Sequence, residues 1–153
     1  MIFDDLIYDR TDSDLQQAIY LCKQGQNMTT EERTAFLAGL RGAYGPGDWN
    51  RVEEAVDTLS DVLALNLTTK TNWTAGDVWT QTDSTRYYSN LQTVTGEFDE
   101  DYRLPDSMSH LDISGANGIE AALLVSATGL LWAQDGVVYA SDGLLRITKQ
   151  EVL

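Results

Sequence analysis

Val52, Val56, Leu59 and Leu63 stand at i, i+4, i+7 and i+11, with Ala55 and Val62 beside them. That spacing gathers onto one face only in an amphipathic helix, which must bury the stripe against other elements. Gly45-Pro46-Gly47 stops any helix arriving from the N-terminal side, and Asp48 is placed to cap the new one. The opposite face carries Glu53, Glu54, Asp57 and Asp61 without a lysine or arginine. Like charges at helical spacing oppose the helix by a few tenths of a kcal/mol per pair, about 0.2–0.5, so apolar packing has to hold it. The acidic face reads as solvated surface, or as a docking face for a basic partner.

Similar patterns flank this helix. Thr11 or Asp12 can cap a first helix with Leu15, Ala18, Ile19 and Cys22 on its apolar face and a stop at Gly25. Thr29 and Glu32 form a capping box for a second, expected to bury Phe36, Leu37 and Leu40 and to end at Gly42. Thr82 or Asp83 can cap a fourth, with Tyr87, Leu91 and Val94 inward and Gly96 at its end. Residues 7–13 and 78–84 share an aliphatic-aromatic pair and Thr-Asp-Ser, the same way of starting a helix used twice. After Pro105 a fifth helix, opening near Ser114, places Ile119, Ala122, Leu123, Ser126 and Leu130 on one face, widened by Leu124, Val125 and Leu131.

The tail changes character at Trp132. Ala133-Gln134-Asp135-Gly136 and Ala140-Ser141-Asp142-Gly143 each place an Asp-Gly turn before β-favouring residues, which predicts strands over 137–140 and 144–148. The fold expected is mainly α, a small bundle of about five helices with a short C-terminal β-hairpin or meander. Its units are 1–66, a three-helix N-terminal unit; 67–131, a second helical unit; and 132–153, the β-tail, packed on the helices or in an oligomer interface.

A net charge of −14, from 10 basic and 24 acidic residues, repels a phosphate backbone, so no nucleic acid is expected as partner. The same acidity allows a DNA-mimicking inhibitor as a third functional reading. No apolar run is long enough to span a bilayer, and the start lacks the pattern of a secretion signal. The single Cys22 excludes an internal disulfide and reads as a small core hydrophobe. Asn27, Asn66 and Asn72 each begin an Asn-x-Thr triplet, read as helix-end and loop residues. The acidic run 97–106 lacks the glycine and closing glutamate of a calcium loop and reads as a linker.

His110 is the only histidine, so neither a Cys/His nucleophile nor a zinc set is supported. We assign no catalytic, cofactor-binding or metal residue, and the chain is not expected to be an enzyme. Trp49, Trp73, Trp79 and Trp132 staple loops to the bundle or, if exposed, stack on sugars. Trp73, Trp79 and Tyr88 are the candidates for glycan stacking, and surface carbohydrate recognition is the alternative function.

The order of motifs resembles a helical module of tail and minor structural proteins of bacteriophages and prophages of Gram-positive bacteria. Its first half is carried by Tyr8-Asp9-Arg10-Thr11-Asp12-Ser13-Asp14, by residues 28–44 from Met28-Thr29-Thr30-Glu31-Glu32 to Gly42-Ala43-Tyr44, and by Asp48-Trp49-Asn50-Arg51-Val52-Glu53-Glu54-Ala55-Val56. Trp73-Thr74-Ala75-Gly76-Asp77-Val78-Trp79-Thr80, Arg86-Tyr87, Leu104-Pro105-Asp106-Ser107-Met108 and Gly118-Ile119-Glu120 continue it in order and spacing. The likeness covers residues 7–124 and departs at Trp79 and Thr85, where such proteins carry proline and methionine. It implies a non-enzymatic virion component at the tail, baseplate or fibre, made in the bacterial host cytoplasm, with other virion proteins and copies of itself as partners. The apolar fifth helix and the tail supply the candidate contact residues Leu123, Leu130, Trp132, Val137, Tyr139, Leu144 and Ile147.

Overall fold

The computed structural model describes residues 2–98 and 104–128, together with the backbone of three short strands. The fold is mainly helical. A 3-10 turn, Ile2–Asp5, leads into α1 (Asp12–Gln24); a second, Gly25–Asn27, joins α1 to α2 (Thr30–Ala38). Then come α3 (Pro46–Val62), α4 (Gln81–Gly96) and α5 (Ile113–Thr128). The tail backbone runs as β1 (Leu131–Gln134), β2 (Val137–Ala140) and β3 (Leu145–Thr148), paired antiparallel in the order β1-β2-β3.

Three of the helices begin by one device, a threonine followed three positions later by an acid. Thr11 and Asp14 open α1, Thr29 and Glu32 open α2, and Thr80 and Asp83 open α4, each hydroxyl accepting a backbone N–H and each carboxylate reaching back. One of these starts corrects the sequence reading: α4 is capped at Thr80, not Thr82 or Asp83, and the 7–13/78–84 correspondence is therefore out of register by two. At α3 the N-cap is Gly45 with Pro46 next, and Asp48 acts from the third position by accepting the Gly45 N–H at 2.9 Å. Thr74 and Asp77 repeat the carboxylate half of it in a loop, Asp77 accepting from the Thr74 N–H and hydroxyl while its own N–H goes to the Thr74 carbonyl.

One apolar cluster holds the body together. α3 contributes Val52, Ala55, Val56 and Leu59, α4 Tyr87, Leu91 and Val94, α5 Ile119 and Leu123, and the first 3-10 turn packs Phe3, with Leu6 following, against them. Each such side chain contributes about 1.5–3 kcal/mol when fully buried. The cluster draws from both sides of residues 66 and 67. The α3 stripe ends one turn earlier than its spacing suggests: Leu63 is half-buried and Val62 is 58% exposed.

The first two helices depart most from expectation. α2 ends at Gly39, whose φ of +100° suits glycine, not at Gly42. It buries none of its residues; Phe36 is 39% and Leu37 77% exposed. In α1 the buried residues are Ala18 and Leu21, while Ile19 and Cys22 face solvent, so Cys22 is not core. The buried stripe of α1 runs from Ala18 to Leu21 and passes one residue before Cys22. A close backbone approach fastens the base of this pair: a Cβ on Gly42 would lie 2.1 Å from the Asp14 carbonyl oxygen and 2.6 Å from the Leu15 nitrogen.

Candidate functional site

Charged residues far apart in sequence meet inside the body. Arg10 is buried, its Nη2 donating to Asp48 Oδ1 at 2.8 Å and to Glu120 Oε1 at 2.6 Å, its Nε to the Arg41 carbonyl at 3.0 Å. Arg51, one turn along α3 from Asp48, donates to both oxygens of Glu120 at 2.8 Å and to Asp48. The Ile7 N–H completes the set on Glu120 Oε2 at 2.6 Å, while Asn117 exchanges hydrogen bonds with the Arg10 backbone. Two guanidiniums and two carboxylates make this centre formally neutral. Burial pulls the Arg51 guanidinium down, but its bonds to Glu120 and then Asp48 hold it above its ordinary value. Beside it the Tyr44 and Tyr87 hydroxyls lie 2.6 Å apart, both raised above their ordinary values first of all by burial.

A second network lies on another face of the same half of α3. Glu53, buried, accepts from Arg86 Nη1 at 2.7 Å and from Arg86 Nη2, from the Lys70 N–H at 3.0 Å and from Trp73 Nε1 at 3.4 Å. Its bonds to Glu53 hold Arg86 above its ordinary value against the effect of burial. Asn50 bonds both the N–H and the carbonyl of Trp73, and Asn90 bonds the Thr68 carbonyl at 2.8 Å. The irregular chain between α3 and α4 is thus sewn to both helices by side chains. Glu53 therefore leaves the acidic face predicted for α3, where Glu54 and Asp61 stay exposed and Asp57 half-exposed.

Trp49, Trp73 and Trp79 form one aromatic cluster with centroids 4.5–5.3 Å apart, and Trp79 meets Tyr87 edge-on at 5.1 Å. Lys70 Nζ sits 3.7 Å from the Trp73 ring centre and 3.0 Å from Asp77. Trp73 is buried and does not present a stacking face, which corrects its place among the glycan candidates. Trp79 and Tyr88 are half-buried, Tyr88 donating to the Pro105 carbonyl at 2.7 Å.

Of the contact residues read from the sequence, Leu123 is fully buried in the core and cannot meet a partner. It continues the inward face set by Ile119. Leu130 and Leu144 lie outside the described residues, as do the side chains of Trp132, Val137, Tyr139 and Ile147. Both oxygens of Glu53, Asp48 and Glu120 are engaged by donors, so these acids anchor the fold. Among the described residues no group of three or more His, Cys, Asp or Glu side chains is placed to hold a metal ion, and no helix is long and apolar enough to cross a membrane. His110 is exposed at φ +57° above an open cleft lined by Asp106, Ser107 and Ser109.

The residues that sequence reading missed are Arg10, Arg51, Arg86, Asn50 and Glu120. One signal was legible: Glu120 is the only charge in an otherwise apolar helix, and a lone charge there must be buried and paired. With Asp48 and Glu53 these side chains make the polar skeleton of the fold. Compared with protein-family models, curated proteins and solved structures, the chain matches none.

Proposed function

We propose that this chain is a non-enzymatic structural or adaptor component of a bacteriophage particle, at the tail, baseplate or fibre, and that it works by protein–protein assembly. The observation that carries the reading is helix α2, which buries none of its own residues yet holds Phe36 and Leu37 in solvent, as α1 does Ile19 and Tyr20. A capped helix with an idle apolar face is suited to closing against another protein. The ordered motifs shared with phage tail modules support the setting, since they are the residues that build this body. The partners are then other virion proteins and copies of the chain, and the chain resides in the particle.

Locating the chain tests this directly. Purified particles from cells producing a tagged chain should contain it in stoichiometric amount, visible by immunolabelling at one structure. Its absence from particles in which every other structural protein is present overturns the reading.

A further inference from the structure

The N-terminal segment fills a groove built entirely by later parts of the chain. Phe3 and Leu6 pack into the cluster of α3, α4 and α5, while the Ile7 N–H and the Arg10 guanidinium close on Glu120 of α5 and Asp48 of α3. Asn117 of α5 accepts from the Arg10 N–H and donates to the Arg10 carbonyl. The groove thus defines its occupant by chemistry: an aromatic side chain, an aliphatic one three residues on, and a guanidinium four residues after that. Without Arg10 it would keep Asp48 and Glu120 against Arg51 alone, an uncompensated buried negative charge beside two open apolar seats. Residues 2–10 of any copy of the chain meet this requirement equally well.

What keeps the segment in its own groove is the connection through α1, α2 and the linker. Among the described residues α1 and α2 make no hydrogen bond or ion pair with α3, α4 or α5. The linker, residues 39–47, holds four glycines, Gly39, Gly42, Gly45 and Gly47. Two cavities flank it, one of about 220 Å³ walled by Leu40, Ala43 and Pro46, the other of about 240 Å³ walled by Gly42, Tyr44 and Ile113. A linker loosely packed on both sides can change course without breaking a core. Gly42 sits against the Asp14 backbone and Arg41 on Asp9, whereas the Tyr44 hydroxyl is bonded to that of Tyr87 in α4, so the turning point falls at Ala43.

We propose that residues 2–42 exchange between two copies, each seating Phe3, Leu6, Ile7 and Arg10 in the α3–α5 groove of the other. Every contact of the closed chain is kept, and only the course of the linker changes, so the exchanged form gains as concentration rises. Reciprocal exchange uses the same segment and the same groove on both copies and closes into a two-fold pair. The inference rests on the assembly reading and adds to it a partner, a second copy, and the groove through which it joins.

Two full-length variants test it, Arg10→Gln and Glu120→Gln. The first leaves the buried centre one charge negative and the second one charge positive, whether a chain closes on itself or on a copy of its own kind. Opened together in urea and refolded, the two kinds can exchange with each other. One centre is then wild type, and the other carries both substitutions with Asp48 balancing Arg51. The mixture should yield a species of twice the single-chain 17.0 kDa by sedimentation, with one chain of each kind by mass spectrometry. Its share should exceed that in either variant alone at least about tenfold, and its urea midpoint should lie above both. Wild type refolded at about 1 mM should give the two-chain species as well, with unchanged helicity by circular dichroism. A mixture that keeps single-chain masses and the two separate midpoints overturns the proposal. If the variants do not refold, wild type decides, and a single-chain mass after refolding at about 1 mM overturns it equally. A chain that never exchanges yet enters particles defeats the exchange and leaves the assembly reading standing.

Discussion

Glu120→Gln removes one charge from the buried centre at almost no change in volume, which isolates electrostatics from cavity formation. The Glu120 carboxylate accepts four N–H donors: Ile7 and Arg51 Nε on one oxygen, Arg10 Nη2 and Arg51 Nη2 on the other. Whichever way the amide is turned, one oxygen becomes an NH2 group facing two donors. Two bonds are lost, each about 1.5–3 kcal/mol when an ionised partner is involved. Two guanidiniums are then left with Asp48 alone. The direct measure of breaking a buried ion pair, about 3–5 kcal/mol, agrees. We therefore expect urea unfolding at pH 7, followed by far-ultraviolet circular dichroism, to show a loss of about 3–5 kcal/mol with an unchanged denaturant slope. That is a large part of the roughly 5–15 kcal/mol available to a domain. Adding Arg51→Met restores charge balance between Arg10 and Asp48, so the double variant should be more stable than the sum of the two single losses by at least about 1 kcal/mol. A loss under about 1 kcal/mol for Glu120→Gln, or strictly additive variants, refutes the reasoning.

Other outcomes follow from the same structure. Asp14, Asp77 and Asp83 are held below their ordinary values, the first two chiefly by the backbone N–H of Thr11 and Thr74 and the third chiefly by the Thr80 hydroxyl. A depressed carboxyl stabilises the fold above its unfolded value and ceases to as pH falls through its folded value, so the urea midpoint should drop below about pH 4. Replacing all three by Asn should lower the midpoint at neutral pH and flatten that slope. Gly42→Ala forces a Cβ into the Asp14 carbonyl and should destabilise the base of α1–α2 by about 1–3 kcal/mol, read as faster hydrogen exchange in 12–38. Ala64 adopts φ +55° in an exposed turn after α3; Ala64→Gly relieves that strain and should raise stability by roughly 0.5–1 kcal/mol in thermal unfolding.

Much of the architecture can be read from periodicity. The inward faces of α3, α4 and α5 follow from Val52, Val56 and Leu59, from Tyr87, Leu91 and Val94, and from Ile119 and Leu123. Each of these faces meets an equally apolar neighbour, so pattern and burial agree. The pattern fails at α2, because a stripe states what could be buried and not whether anything covers it; Phe36 and Leu37 stay exposed. It fails again at Glu53 and Glu120, where a pairwise scan along the chain cannot find Arg86, 33 residues away, or Arg10, 110 residues away. Buried ion networks are set by tertiary geometry, and the sequence reveals them only through a charge in an apolar setting.

The hold of Glu120 on Ile7 and Arg10 also sets a constraint on synthesis. Phe3, Leu6 and the Arg10 guanidinium can meet α3 and Asp48 first, but the Ile7 N–H and the second carboxylate on Arg10 find Glu120 only when α5 has left the ribosome. Closure of the body is a late, long-range step, and a chain stalled before α5 presents an unfinished core to chaperones and proteases.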